Sequence, residues 1–241
     1  MEDQTEGERW CIFGSTVQGA AHKRKAKPNQ DAIKYWPEGD AAIDGVQQIG
    51  STPPVILAVA DGHGGERYTR AQDGAQLAVK CAVELLAEIL TTFESQDIQS
   101  HSLFKNEAEM RLPRDLVRHW QEAVDEHLAH EPAPDASEDA RRLYGTTLMA
   151  AAVTRSFMLL LQLGDGDIRV VTDEGNYYAP ILRDSELVGN ETHSLALKDA
   201  WKHVRVHFKP IVERPPALIL LATDGYSNSF AATEGFDQVG P

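Results

Sequence analysis

Three apolar segments of this sequence each end in an aspartate that is followed by a glycine. These pairs are Asp61-Gly62, Asp165-Gly166 and Asp224-Gly225. Short apolar runs bounded by turn residues are typical of buried strands, so each strand would deliver one carboxylate at its carboxyl end. One Asp-Gly pair alone fits a strand-exit turn equally well, but buried carboxylates are costly unless they meet cations. Together, the three pairs predict converging aspartates that hold more than one metal ion.

The first of these segments, residues 59–65, carries further chemical groups. Asp61 is followed by Gly62, His63 and two more glycines. The Asp61 carboxylate and the Gly62 carbonyl are hard oxygen donors of the kind that Mg²⁺ or Mn²⁺ takes, and glycine lets a carbonyl approach an ion closely. The imidazole of His63 can donate a proton to a leaving group near neutral pH.

Most of the basic charge in the N-terminal third lies in residues 19–31, which include His22, Arg24, Lys25 and Lys27. Such a cluster is either a solvated basic loop or a loop that faces phosphate, because clustered Lys and Arg suit phosphoryl oxygens. A site with two metal ions can generate hydroxide from water and stabilise the charge of a phosphoryl group. Carboxylates, a cation for phosphate and a proton donor are therefore all present for phosphate-ester hydrolysis.

A calcium-binding loop is a second explanation for part of the acidic pattern. Asp165, Asp167, Asp173 and Glu174 are close in sequence. An EF-hand needs glycine at its sixth position, where Val170 stands, so the pattern does not favour this explanation.

Composition indicates ordinary globular protein, with 42% hydrophobic and 25% charged residues among 241. The net charge of −14 argues against nucleic acid or an anionic membrane as the main partner. The two cysteines, Cys11 and Cys81, lack metal-ligand spacing and are expected to be buried thiols in a reducing compartment. No apolar stretch reaches the roughly 18 to 20 residues of a membrane span, and the acidic start is unlike a signal peptide. We therefore expect a cytoplasmic protein.

Hydrophobic periodicity predicts several strands and two long helices, with most of the strands after the helices. The expected strands are residues 10–17, 31–36, 145–154, 157–163, 168–172, 201–208 and 218–222. Hairpin-length gaps join the third, fourth and fifth of these strands, which indicates an antiparallel sheet. We expect an irregular connection over 37–54, one amphipathic helix over 66–93 and another that begins at Pro113, where proline suits a first turn.

Two further segments carry predictions of their own. His119, His127 and His130 on the second helix are expected to face solvent rather than metal, since no carboxylate pattern accompanies them. Residues 174–200 are polar with scattered leucines and are interpreted as an irregular insertion.

Taken in order, these motifs resemble the PP2C-type (PPM) metal-dependent serine/threonine protein phosphatases. The resemblance spans about residues 10 to 230, and Gly19 and His22, which precede Gln30 and Asp31, are similar to the bacterial branch. The matching stretches are Asn29-Gln30-Asp31, Val59-Ala60-Asp61-Gly62-His63-Gly64-Gly65, Tyr144-Gly145-Thr146-Thr147, Gly164-Asp165-Gly166 and Ala222-Thr223-Asp224-Gly225.

The resemblance implies an α+β fold, a four-layer α-β-β-α sandwich of two antiparallel sheets flanked by helices. Both long helices would lie in one outer layer. Residues 1–241 would be a single PP2C-like domain, with residues 174–200 as a flap-like insertion near the site.

It also implies roles for individual residues. Asp61 would bridge two ions, with the Gly62 carbonyl on one and Asp224 on the other. Asp31 would bind an ion directly or through water, and Asp165, with Asp224, would hold a third, weaker ion. The ions would be Mn²⁺ or Mg²⁺. His63 would act as general acid toward the leaving oxygen.

The implied activity is hydrolysis of phosphoserine and phosphothreonine in proteins by a metal-activated water. The implied partner is a phosphoprotein substrate, within a cognate serine/threonine kinase system. Neither nucleic acid nor a membrane is expected as a partner. Gly145, Thr146 and Thr147 would be structural, at a tight strand start beside the site.

One departure from the family pattern concerns phosphate. The family usually places an arginine three residues before Asn29, where this chain has Ala26. Arg24, Lys25, Lys27 or His22 would then hold the phosphate, and the sequence does not choose among them.

A second departure concerns metal. The family places another metal-binding aspartate several tens of residues after the Thr-Asp-Gly motif, whereas sixteen residues follow Gly225, and Asp237 among them is too close to match. We expect either a chain truncated at its C-terminus or one weakened or lost metal site. The alternatives to an active enzyme of this kind are a catalytically inactive phosphoprotein-binding or regulatory module and a small-molecule phosphohydrolase.

Overall fold

The computed structural model describes residues 10–37, 42–43, 46–51, 53–92, 98–133, 140–182, 192–230 and 235. The strands are β1 Trp10–Gly14, β2 Asp31–Trp36, β3 Ala42–Ile43, β4 Val46–Ser51, β5 Val55–Asp61, β6 Leu148–Val153, β7 Phe157–Leu163, β8 Asp167–Val171, β9 Tyr177–Tyr178, β10 Arg205–Pro210 and β11 Leu218–Ala222. The α-helices are α1 Ala20–Arg24, α2 Ala71–Thr92, α3 Ile98–His130 and α4 Asp224–Ser227, and 3₁₀-helices form at Ala140–Tyr144 and Ala200–Lys202.

The central layer is a five-stranded antiparallel sheet in the order β10-β7-β6-β5-β2. Every residue of β6 and β7 is buried, because these strands are covered on both faces and, apart from Gln162, are apolar rather than alternating. The predicted strand 157–163 matches β7, and β2 begins and ends as predicted. This sheet carries Asp31 and Asp61 at the ends of neighbouring strands.

The second layer consists of two three-stranded antiparallel sheets, β1-β4-β3 and β11-β8-β9. Apolar side chains from both layers form the core between them, and they include Ile12, Met149, Ile168 and Ile219. The expectation that β8 continues the β6–β7 hairpin was wrong, because β8 pairs with β11 and β9. The chain leaves the central sheet at Gly164, whose φ of +105° is readily adopted only by glycine.

Helices α2 and α3 pack on the other face of the central sheet, so both long helices lie in one layer as predicted. Ala75, Ala78 and Ala82 of α2 are fully buried, and these small side chains at helical spacing let the helix approach the sheet closely. The antiparallel α+β sandwich is confirmed. Of its four layers, the described residues contain the α2–α3 layer and both sheet layers.

Helix boundaries differ from the prediction at both helix starts. Residues 65–70 form turns, so α2 begins at Ala71 rather than at 66. The prediction that the second helix begins at Pro113 was wrong, since α3 starts at Ile98 and Pro113 lies inside it. Burial of Phe104, Ala108 and Leu112 along the first half of α3 outweighs the usual cost of an interior proline.

Two strand predictions also need correction. Residues 37–54 are not wholly irregular, because β4 pairs antiparallel with β1, opposing Ser51 to Trp10. The strand predicted from 201 begins at Arg205, and Trp201 lies in a 3₁₀-helix. Within the predicted insertion 174–200, residues 183–191 lie outside the described residues. No helix in the described part of the chain combines the length and apolar character that a bilayer crossing requires.

Candidate active site

Three aspartates at or next to strand ends, Asp31, Asp61 and Asp224, lie close together. Asp31 is directly opposite Asp61 in the register of β2 and β5, and the charge of Asp31 helps to raise the pKa of Asp61. Asp224, which begins α4 just after β11, is close enough for its charge to raise the pKa of both Asp31 and Asp61. The structure therefore brings Asp31, Asp61 and Asp224 into one group.

Burial and mutual repulsion make these carboxylates reluctant to ionise. Burial first, and then the charges of Asp31 and Asp224, raise the pKa of Asp61 from 3.8 to about 8, and Asp165 adds to the effect. Burial and the charge of Asp224 also raise the pKa of Asp31, while a hydrogen bond with Asp61 and the charge of His22 oppose the rise. A cation among these groups would relieve both the desolvation and the repulsion.

The donor set fits a hard divalent cation. It offers carboxylates and the Gly62 carbonyl, which are the oxygen ligands of Mg²⁺ and Mn²⁺. In the described part of the chain, no three His, Cys, Asp or Glu side chains are placed to hold one ion jointly. Mg²⁺ is commonly held by one or two carboxylates, with water completing its shell.

The loop after β5 is fixed by main-chain and threonine hydrogen bonds. The Asp61 N–H donates to Thr147 Oγ1 at 3.1 Å, and the Thr147 N–H donates to the Asp61 carbonyl at 2.9 Å. The Gly62 N–H donates to the Gln30 carbonyl at 3.1 Å, and the His63 N–H donates to the Gly145 carbonyl at 2.9 Å. Residues 145–147 thus hold the orientation of the carboxylate and of the imidazole.

Gly62 is required by close packing of the backbone around it. A Cβ at this position would lie 2.6 Å from the Ala71 carbonyl oxygen and 2.8 Å from the Gln30 carbonyl oxygen. Any side chain here would push β2 and the start of α2 away from the loop. The approach of the Gly62 carbonyl to an ion therefore depends on the absence of a side chain.

His63 lies half-buried beside an aromatic ring. The ring of Tyr68 is 4.8 Å from the His63 ring, measured between centroids. Burial lowers the pKa of His63, the charge of Asp165 acts in the opposite direction, and Arg67 lowers the pKa further. Tyr68 and Arg67 were not identified from the sequence, because a tyrosine in a polar turn has no periodic pattern that marks it as part of a site.

Among the basic residues proposed for phosphate, Lys27 and His22 lie nearest the site. Lys27 Nζ donates to the Gly64 carbonyl at 2.6 Å, and a Cβ on Gly64 would be 3.5 Å from His22 Nε2. A turn produces this arrangement, because Ala26 has a φ of 51° and the Lys27 N–H donates back to the His22 carbonyl at 3.0 Å.

The side chains of Arg24 and Lys25 are exposed and form no hydrogen bond or ion pair within the described residues. These two cations therefore face solvent. The structure favours Lys27 and His22 over Arg24 and Lys25 as groups that meet a bound phosphate.

Asp165 lies at the edge of the cluster formed by Asp31, Asp61 and Asp224. It contacts Thr192, the first described residue after residues 183–191. Thr192 Oγ1 donates to Asp165 Oδ1 at 3.0 Å. Three residues further on, the Leu195 N–H donates to the Thr146 carbonyl at 2.9 Å. This end of the predicted insertion is thereby attached to the residues that hold Asp61.

Asp31, Asp61 and Asp224 line a cavity of about 880 Å³ between the two sheet layers, together with His22 and residues of β1 and β11. Small-molecule sites have volumes of about 300–1,000 Å³. The cavity is therefore large enough for a phosphorylated side chain.

Other acidic and histidine residues lie outside this group. Asp167 is buried and pairs with Arg169 at 3.0 Å, and Asp237 lies outside the described residues. The expectation that His127 faces solvent was wrong, because its Nδ1 is 2.8 Å from the Tyr144 hydroxyl. His119 is half-buried, and His130 is exposed.

Comparison with solved structures identifies proteins of the same fold. A bacterial serine phosphatase aligns with a TM-score of 0.52 and 15% identity, over 95% of this chain and 82% of that chain. The catalytic domain of the serine/threonine phosphatase PstP, solved with two manganese ions, aligns with a TM-score of 0.50 and 16% identity, over 96% of this chain and 83% of that chain. At these identities the similarity shows the fold alone. Comparison with curated proteins gave no significant sequence match.

The sequence matches the family described as Protein phosphatase 2C over residues 18–240, which is most of the chain. The chain therefore belongs to the protein phosphatase 2C family, and it is a metal-dependent serine/threonine protein phosphatase.

Proposed function

We propose that this chain hydrolyses phosphoserine and phosphothreonine in proteins at the site formed by Asp31, Asp61, Asp224 and His63. The observation that carries the proposal is the convergence of three carboxylates whose repulsion and burial raise the pKa of Asp61 to about 8. Such a group is unfavourable unless a cation is bound, and the donors are those of Mg²⁺ and Mn²⁺.

In the proposed site, Asp61, Asp224 and the Gly62 carbonyl would hold the two divalent ions, and Asp31 would do so directly or through water. Asp165, with Asp224, is the candidate for a third and weaker ion. When bound, the ions lower the pKa of water and stabilise charge on the phosphoryl group. Manganese is favoured in the proposal because the PstP domain was solved with two manganese ions.

Side chains of the protein would bind the phosphate, donate the proton and orient the water. Lys27 and His22 bind the phosphoryl oxygens, since both lie beside Gly64 next to the carboxylates. His63 donates a proton to the serine or threonine oxygen as it leaves. Asp31 accepts a hydrogen bond from water in the site, which orients that water toward phosphorus.

We also propose a substrate, a cellular compartment and a domain organisation for the protein. A phosphoprotein supplied by a serine/threonine kinase is the substrate, and the net charge of −14 makes nucleic acid and anionic membrane unfavourable partners. Cys81 is buried as expected, whereas Cys11 is exposed, and neither forms a disulfide within the described residues, which suits a reducing cytoplasm. Residues 1–241 act as one domain, with residues 174–200 as a flap beside the site.

The experiment compares metal-dependent hydrolysis by the natural protein and by the Asp61→Asn variant. The substrates are an aryl phosphate, a phosphoserine peptide, a nucleotide and a sugar phosphate, each with Mn²⁺, with Mg²⁺ and with a chelator. We expect turnover that needs metal, favours the phosphopeptide over the small molecules and falls by at least about a hundredfold in Asp61→Asn. Asp115→Asn, on the surface of α3, is the matched control and should retain turnover.

Two outcomes would contradict the proposal. Undiminished metal-dependent turnover in Asp61→Asn would place the reaction elsewhere. Binding of phosphopeptide without any turnover in the natural protein would indicate a binding module instead of an enzyme.

A further inference from the structure

The Tyr68 ring lies in a slot that is shaped by glycines beside the site. A Cβ on Gly145 would lie 2.6 Å from the Tyr68 ring and 2.7 Å from His63 Cδ2, and a Cβ on Gly65 would lie 3.2 Å from the same tyrosine ring. The tyrosine is therefore packed between two glycines and the imidazole. Its position relative to His63 is set by backbone packing.

Arg67 is held on the outer side of this ring. Its guanidinium carbon lies 4.6 Å from the Tyr68 ring centroid, and Nη2 donates a hydrogen bond to the Tyr68 hydroxyl. Stacking on an aromatic face and one hydrogen bond restrict the side chain. The exposed guanidinium is thus fixed on a wall of the site, one aromatic ring away from His63.

Arg67 forms no ion pair within the described residues. Elsewhere in the described chain, arginines such as Arg111, Arg141 and Arg214 pair with carboxylates. The neighbouring Glu66 is exposed and forms no ion pair with Arg67. The remaining guanidinium donors can therefore bind an anion that comes from outside the chain.

The location of Arg67 defines which anion this is. His63 lies on the side of the site where the leaving oxygen, and hence the substrate polypeptide, is proposed to be. In a chain of net charge −14, a fixed unpaired cation at this place counteracts the repulsion that an acidic substrate segment would otherwise meet. The planar guanidinium also suits bidentate contact with a carboxylate or a phosphate.

We propose that Arg67, stacked on Tyr68, forms a subsite that binds an acidic side chain close to the phosphorylated serine or threonine of the substrate. The ligand chemistry is an anionic group of the substrate peptide, either the carboxylate of Asp or Glu or a second phosphate. This proposal rests on the proposed function of the site. It makes Arg67 a determinant of substrate choice and assigns it no part in bond cleavage.

The test measures kcat/KM for phosphoserine peptides that differ in one residue. A glutamate is moved through the positions on either side of the phosphoserine and is compared at each position with glutamine, and a second phosphoserine is then tested at the preferred position. For the natural protein we expect a preference for glutamate over glutamine of about threefold at one or two positions, expressed mainly in KM. The preference should fall as salt is added, because the pair is exposed to solvent.

Variants of Arg67 test the assignment of this preference. Arg67→Gln should abolish the preference, and Arg67→Glu should reverse it and favour a peptide with lysine at the same position. Arg155→Glu makes the same change of charge at an exposed arginine in the turn between β6 and β7, at the far end of β6 from Thr147. This control should keep the preference for glutamate.

The proposal is overturned if Arg67→Glu keeps the preference of the natural protein, or if the natural protein shows no preference at any position. Failure of the proposed function has a different signature, which is the absence of metal-dependent turnover with every peptide. Thermal unfolding of each variant checks that a change in preference reflects the side chain and not a loss of fold.

Discussion

Asp31 lies directly opposite Asp61 across the antiparallel pair β2 and β5, and both residues are partly buried. Directly opposed residues in such a pair have Cα atoms about 4.5–5.5 Å apart, so two carboxyl groups meet where water has limited access. In the metal-free protein one of these groups is best protonated. This arrangement gives the fold a dependence on pH that can be measured without substrate.

The first prediction concerns the stability of the metal-free protein. The pKa of Asp61 is about 8 in the folded chain against an ordinary 3.8, so ionisation of this group is less favourable in the folded state. Its contribution to stability is fully present below about pH 4 and is lost as pH rises toward 8. With a chelator present, we expect Asp61→Asn to be about 1–2 kcal/mol more stable than the natural protein above pH 8.

Thermal unfolding between pH 4 and 9 checks this prediction. A difference of this size corresponds to about 4 °C in Tm for a chain of this length, and it should vanish near pH 4. Adding Mn²⁺ at pH 8 should reverse the order, because only the natural protein keeps the bridging carboxylate. If the metal-free Asp61→Asn variant is less stable than the natural protein at every pH, then ionised Asp61 does not destabilise the fold and the prediction is wrong.

The second prediction concerns the backbone at Gly62. Gly62→Ala places a Cβ against the carbonyl oxygens of Ala71 and Gln30, so β2 and α2 must shift. We expect the free energy of unfolding to fall by about 1–3 kcal/mol, and the Mn²⁺ concentration for half-maximal turnover to rise. Gly19→Ala is the control, since nothing lies within 4 Å of a Cβ there. Equal effects of the two substitutions would refute the close-packing explanation.

The third prediction separates the basic residues of the first loop. Lys27→Gln should weaken competitive inhibition by inorganic phosphate by about tenfold, because it removes a charged donor beside Gly64. Lys25→Gln makes the same chemical change on an exposed side chain and should leave the inhibition constant within about twofold. If Lys25→Gln has the larger effect, the phosphate lies on the solvent side of the loop and the assignment to Lys27 is wrong.

Much of this architecture follows from local sequence. Asp61, Asp165 and Asp224 each follow a short apolar run that is typical of a strand, and in the structure the charges of Asp165 and Asp224 both act on Asp61. The continuous apolar character of β6 and β7 likewise requires cover on both faces, which predicts a layered sandwich. These strands and layers can be predicted because they depend on the residue pattern within each segment and not on contacts between distant segments.

Features that depend on tertiary contacts were not predictable in this way. Strand β4 contains adjacent glutamines and a glycine, so only its pairing with β1 makes it a strand. The first half of α3 buries Phe104, Ala108 and Leu112 between charged residues, and the charges conceal the helical spacing. The choice of Lys27 over Lys25 depends on a turn at Ala26. Its positive φ could not be predicted, because alanine rarely adopts such a conformation.

The fourth prediction follows from the contact between Tyr68 and His63. If the Tyr68 ring positions the imidazole, then its removal should matter most when the leaving oxygen needs a proton. An alkoxide from phosphoserine needs protonation much more than an aryl oxide does, because the aryl oxide is the weaker base. General acid catalysis contributes about 10²–10⁴ to such rates, so a displaced imidazole can lose a measurable part of this factor.

Tyr68→Ala should therefore lower turnover of a phosphoserine peptide with neutral flanking residues about tenfold more than turnover of an aryl phosphate. Tyr68→Phe keeps the ring that contacts His63 and should stay within about threefold of the natural protein on both substrates. The measurement is kcat for each variant with each substrate at saturating Mn²⁺. Equal losses on the two substrates in Tyr68→Ala would mean that the tyrosine only supports the loop, because general disorder of the site would slow both reactions alike.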